Sequence, residues 1–202
     1  MGVEKSMLSF ADQIVHVAQL MFDRKLTDLC GGNISVRDRD QIICTPRYAG
    51  SRMHWNLSPT DLVTGPIFND VLLKDPSFSR EGLSHLVVYR AFPGIKAIIH
   101  AHPHHVLPFC AARKPIVPVI KATEKYGTLN FISDAPNYSQ EQADSIISML
   151  RGQEERIEKA AAGVLMPKHG IFMVGADLYT VLDAVERIDT NAWCMIAQKL
   201  LS

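Results

Sequence analysis

Charge of either sign is not in excess in this sequence. Lysine plus arginine and aspartate plus glutamate number 21 each, with no basic block, so the electrostatic footprint of a nucleic-acid-binding protein is missing. Long apolar runs are missing as well; none approaches the roughly 20 residues needed to span a bilayer. The opening Met1-Gly-Val-Glu-Lys-Ser6 lacks the basic-then-apolar plan of a secretory signal. Gly2 with Ser6 does fit the myristoylation pattern, a short one that chance supplies often, and no membrane partner is expected. Cysteine is scarce: Cys30, Cys44, Cys110 and Cys194, none at CxxC spacing. They read as structural thiols of a reduced, cytoplasmic protein. There is no GxSxG to support serine–histidine catalysis, no Walker A and no GxGxxG. Internal repeats, linkers and low-complexity segments are also lacking.

What remains is an ordinary globular composition, 47% hydrophobic over 202 residues, which fits one domain spanning 1–202 with a sizeable core. Apolar residues at three- and four-residue spacing predict a helix over 6–22. Gly31-Gly32 precedes a strand at 33–36, and a turn at 37–40 leads to a second strand at 41–44. A loop over 47–56 holds Arg47, Arg52, two aromatic residues and His54. A helix over 78–92 has Ser79 as its N-cap and Glu81 in its first turn, with His85 one turn further on the same face. A strand over 95–102, a helix over 104–112 and a short strand over 115–120 come next. Residues 121–138 are rich in turns. Ser139 caps a helix running to about 162, which Gly152 interrupts and whose polar face is rich in Gln and Glu. Two apolar strands, 163–166 and 171–174, flank Pro167-Lys-His-Gly170, and a last helix covers 178–201.

Four of the eight histidines lie in the six residues from His100 to His105. Alternation along a strand puts His100 and His102 on the same face, while a helix from 104 would turn His104 and His105 away. A catalytic zinc takes three protein ligands and keeps one open position. His100 and His102 supply two, and His169, fixed between a proline and a glycine, offers a third. An ion so held acts as a Lewis acid on a carbonyl oxygen. Glu81 is the candidate proton carrier beside it, although a carboxylate in the first turn also suits the helix dipole alone. The glycine turn with Asn33 could cradle an anion or simply enter a sheet. The loop with Arg47 and Arg52 could bind substrate or be a surface excursion.

Gly31-Gly-Asn-Ile-Ser-Val-Arg37, Ser79-Arg-Glu81, His100-Ala-His102 and Lys168-His-Gly170, in this order and at this spacing, resemble the class II aldolase/adducin head family over nearly the whole chain. The resemblance implies a three-layer α/β/α sandwich with a mostly antiparallel central sheet. It also implies zinc, or another divalent ion such as manganese or cobalt, held by His100, His102 and His169. Glu81 would contact the metal without substrate and act as acid/base with it. Asn33, Thr45 and Ser79 would hold the substrate's phosphate, and Tyr126, with Tyr138 as rival, would serve as proton donor. The implied reaction is cleavage of a ketose 1-phosphate of the fuculose-phosphate type to dihydroxyacetone phosphate and an aldehyde, through an enediolate. Decarboxylation of a sugar-acid phosphate, dehydration of a methylthioribulose-phosphate-like substrate and epimerisation begin from the same site. An adducin-like module without catalysis would have lost the histidines. The implied assembly is a homotetramer. Three departures bear on the substrate; one is that no tyrosine follows Tyr179. The phosphate loop reads Thr45-Pro-Arg-Tyr-Ala-Gly50, longer than usual, so that Arg47 or Arg52 could bind a phosphate or carboxylate. The usual Ser-Ser-Glu is Ser79-Arg80-Glu81.

Overall fold

The computed structural model describes residues 8–201; Gly2 and Ser6 of the myristoylation pattern lie outside them. Six strands form one sheet: β1 (Asn33–Asp38), β2 (Gln41–Cys44), β3 (Val63–Pro66), β4 (Ala97–Ala101), β5 (Ala162–Met166) and β6 (Gly170–Gly175). The order is β3-β2-β1-β4-β6-β5, and every pairing of these strands is antiparallel.

Side-chain alternation divides the core in two. From β4, Ala97, Ile99 and Ala101 pack with α1 (Phe10–Asp23) and α7 (Leu178–Ala197); Ile98 packs with α3 (Gly82–Ala91) and α5 (Gln140–Leu150). β6 divides likewise, with Ile171 and Met173 on the first side and Phe172 and Val174 on the second. The result is helices on both faces of the sheet, the α/β/α sandwich. Both outer helices on the first face show the expected stripe. Ile14, Val17, Ala18 and Met21 are buried on α1, and Val181, Leu182, Val185, Ile188 and Ala192 on α7. Ser9 and Asp177 cap them, accepting the amides of Asp12 and Thr180.

Several local expectations need correcting. The helix expected from 78 starts at Gly82, because Ser77 and Ser79 form turns; the Ser79 hydroxyl accepts only the Glu81 amide, at 3.3 Å. The helix expected from 104 is α4 (Leu107–Ala112), which begins after the turn that Pro103 opens and carries Pro108 near its N-terminus. Segment 115–120 makes a single bridge, Ile116 with Leu129, rather than a strand; Pro115 and Pro118 have no amide to donate. The helix after Ser139 is interrupted at Gly152, φ 81, as expected, giving α5 and α6 (Glu154–Lys159), and it ends at Lys159 instead of near 162. Loop 47–56 contains one short helix, α2 (Ala49–Met53).

Candidate metal centre

The site lies where three segments converge on the α3 side of the sheet. His100 is in β4, paired between Asn33 of β1 and Phe172 of β6. His102 follows one residue after β4. His169 sits in the hairpin between β5 and β6, where Lys168 takes φ 55 and the His169 amide donates to the Met166 carbonyl at 3.1 Å. One ring nitrogen from each histidine can be chosen so that all three lie within 4.8 Å of one another. The ring centroids are 4.7 to 5.3 Å apart. His104 and His105 lie in the turn before α4, and His105 points elsewhere, its Nδ1 meeting Asp189 at 2.7 Å.

Each strand-borne histidine is oriented by a partner on its far nitrogen. His100 Nδ1 is 3.0 Å from the Ile171 carbonyl, and His102 Nδ1 is 3.1 Å from Asp28 Oδ1. Carbonyl and carboxylate acceptors of this kind fix the imidazole tautomer and turn Nε2 toward a metal. Asp28 is itself held. Its Oδ1 accepts the amides of Cys30 and Gly31, and its carbonyl accepts the Trp55 indole N–H at 2.8 Å. Burial pushes the Asp28 carboxyl up, but His102 and the two amides outweigh it and hold it below its ordinary value. Two glycines make room for the His102 ring. A Cβ on Gly31 would stand 2.8 Å from Cε1, and one on Gly170 would stand 2.8 Å from Cδ2 and 2.4 Å from the Ala101 carbonyl.

Glu81 ends the cleft at the N-terminus of α3, 3% exposed. Its Oε2 accepts Gln142 Nε2 at 2.9 Å, and its Oε1 lies 4.0 Å from His169 Nε2. Burial pushes its carboxyl up to about 7, against the opposing Gln142 bond and Arg80 charge. Burial, then the neighbouring charges of His102 and Arg80, drives His169 down to about 4; burial and the other histidines hold His100 well below its ordinary value. His100 and His169 are therefore neutral at pH 7, the form that ligates metal. Glu81 Oε1, His102 Nε2 and His169 Nδ1 are buried without a hydrogen bond. Three imidazoles, two of them oriented from behind, and a buried carboxylate oxygen suit a divalent ion such as zinc.

A cleft opens above this cluster. Asn33, Arg47, Tyr48, Ser79, Arg80 and Tyr138 line it along with Glu81 and the three histidines. Arg47, Arg52 and Arg80 lie 5.3, 4.2 and 6.0 Å from the Tyr48 ring centroid, and Arg80 lies 4.7 Å from that of Tyr138. Among the described residues no carboxylate forms an ion pair with these guanidiniums.

Three sequence candidates stand outside the cleft lining. Thr45 is wholly buried, its hydroxyl accepting the Ile34 amide at 3.1 Å and its own amide donating to the Ile34 carbonyl. Arg52 is exposed and reaches the cleft only through Tyr48. Tyr126 is buried, and its hydroxyl donates to Asp183 at 3.3 Å. Tyr138 is the tyrosine beside the histidines, its ring perpendicular to His169 at 6.4 Å. Asp28 and Gln142 were not singled out from sequence. Asp28 carried a signal, a carboxylate placed to accept amides of the glycine turn that follows it. Gln142 carried none.

The sequence profile of the Class II Aldolase and Adducin N-terminal domain matches residues 12–196. An L-fuculose phosphate aldolase of Methanocaldococcus jannaschii is 26% identical over 180 residues, covering 89% of this chain and 92% of that one. A methylthioribulose-1-phosphate dehydratase of Gluconobacter oxydans is 26% identical over 204 residues, covering 97% and 95%. Among solved structures, an L-fuculose 1-phosphate aldolase superposes with a TM-score of 0.81 at 23% identity, covering 98% of this chain and 91% of that one. The L-fuculose-1-phosphate aldolase of Thermus thermophilus gives 0.79 at 21%, covering 95% of each; at these identities the likeness speaks for the fold. Sequence profile and fold agree, and the chain belongs to the class II aldolase and adducin N-terminal domain family.

Proposed function

We propose that the protein is a zinc-dependent lyase that cleaves a ketose 1-phosphate to dihydroxyacetone phosphate and an aldehyde. The observation that carries this reading is the convergence of His100, His102 and His169 on one point with the unpartnered Oε1 of Glu81 beside it. When bound there, a divalent ion supplies Lewis-acid polarisation of the substrate carbonyl. The residues of the chain do the rest. Cleavage of the C3–C4 bond requires the C4 hydroxyl to lose a proton and C3 to gain one. Glu81, buried and pushed up to about 7, can carry a proton at neutral pH and return it to C3 through Oε1. Tyr138, at the mouth beside His169, is the candidate to relay that proton, receiving it from the C4 hydroxyl as its own phenol proton passes to the Glu81 carboxylate; the Tyr126 hydroxyl is committed to Asp183. Arg47 and Arg80, with Asn33 and Ser79, receive the phosphate. Guanidinium–phosphate hydrogen bonds are the strong, charge-assisted kind.

A second reading, dehydration of a methylthioribulose-phosphate-like substrate, is favoured by the dehydratase relative that matches nearly the full chain. Product identification by NMR separates the two. Zinc-loaded protein given a panel of ketose 1-phosphates should release dihydroxyacetone phosphate. Loss of water from a methylthioribulose phosphate, without carbon–carbon cleavage of any panel member, would replace the aldolase reading.

A further inference from the structure

Gln142 lies in the first turn of α5 and is 1% exposed, although its sequence neighbourhood is that of a solvated helix face. Gln140, two residues earlier, behaves as such a face does and bonds the exposed Asp144. Gln142 is different, because both ends of its amide are used inside the site. Nε2 donates to Glu81 Oε2 at 2.9 Å, and Oε1 accepts the backbone N–H of Tyr138 at 3.2 Å. Tyr138 is held at φ 68, a left-handed conformation that a tyrosine adopts only at a cost. Its ring faces His169 on one side and Arg80 on another.

A carboxylate has two equivalent oxygens, and one free to rotate would present either of them. Here one is occupied by the amide, and the other, Oε1, is left buried without a hydrogen bond and 4.0 Å from His169 Nε2. We propose that Gln142 is a positioning residue that selects Oε1 of Glu81 as the atom facing the histidines and holds Tyr138 at the mouth of the same cleft. One buried amide thereby sets the geometry of both groups assigned to proton transfer, and this inference rests on the lyase reading above.

Two variants separate the two bonds. Gln142→Met keeps most of the volume and loses both; Gln142→Glu keeps the acceptor for Tyr138 and replaces the donor to Glu81 with a like charge. Both should bind one cobalt ion per chain. Their kcat should fall roughly 10- to 100-fold, the cost of misplacing a reacting group by about 1 Å, with KM within about twofold. The visible absorption of the cobalt-loaded variants should differ from that of the wild type, because the carboxylate oxygen near the ion is no longer fixed. Should Gln142→Met fail to fold, Gln142→Glu carries the comparison. A variant matching the wild type in kcat and in cobalt spectrum overturns the proposal, even if it melts at a lower temperature. If the wild type cleaves no ketose phosphate, the lyase reading fails by itself, and the cobalt spectra decide on Gln142: a change supports its positioning role, and identical spectra overturn it.

Discussion

The histidine end of the cleft is held by backbone register and hydrogen bonds, whereas its arginine end is held by ring faces. At the first, the β1–β4–β6 pairing sets His100, the carboxylate of Asp28 sets His102 and the β5–β6 hairpin sets His169. At the second, Arg47, Arg52 and Arg80 lie against Tyr48 and Tyr138, with no carboxylate paired to them among the described residues. The difference teaches a division of labour. Metal ligands must be fixed before the ion arrives, while long cations stacked on rings can adjust to the anion they meet. The two ends are still joined. Trp55, at the end of the arginine loop, is 1% exposed and holds the Asp28 carbonyl, and Asp28 holds His102.

Loss of the Glu81 carboxylate should have the largest effect. Glu81→Gln should lower kcat about 10²- to 10⁴-fold, the range for a general acid–base, and retain the metal; a variant that turns over at the wild-type rate would remove Glu81 from the chemistry. Asp28→Asn should weaken metal binding about 10- to 100-fold, as loss of a partner behind a ligating histidine does. Competition titration against a chelator measures this, and unchanged affinity would show that His102 needs no orienting carboxylate.

The histidine end also predicts a pH response that the arginine end cannot share. His85, His100 and His169 are held below their ordinary value by burial. Each contributes stability that is present above about 6.5 and is lost as pH falls toward the folded value. Glu81 is raised, so its contribution runs the other way and is lost as pH rises from about 4.5 through about 7. Three groups oppose one, at roughly 1.4 kcal/mol per pH unit each at most. The metal-free protein should therefore lose on the order of 1–3 kcal/mol per pH unit between pH 6.5 and 5. Chemical denaturation at several pH values tests the sign, and stability that is level or rises toward pH 5 would contradict it. The smallest effect belongs to the arginines. Arg80→Met should raise KM roughly tenfold, the scale of one charged hydrogen bond, with metal affinity unchanged. Arg52→Met should do less, because Arg52 does not line the cleft.

Sequence legibility followed the same division. β1 and β2 were readable because Gly32 and the turn at Arg39, both at positive φ, punctuate them. The common face of His100 and His102 follows from strand alternation alone. β3 was not readable: four residues ending in Gly65-Pro66 make a weak strand signal, and only pairing with β2 defines it. Gln142 and Gln140 look alike in sequence. They part because Glu81, 61 residues away, is brought against one of them and not the other. Tyr126 was the tyrosine preferred from sequence, with Tyr138 as rival, but packing sends the first toward Asp183 and the second toward His169.

Side chains from two distant segments, His100 with His102 and His169, are proposed to hold one metal ion. Elemental analysis of the full chain after zinc loading and gel filtration tests it directly, with His169→Ala alongside. One zinc per chain in the wild type, and a small fraction of that in the variant, is the predicted result. A wild-type protein that retains no divalent ion, or a variant that retains as much as the wild type, would contradict it.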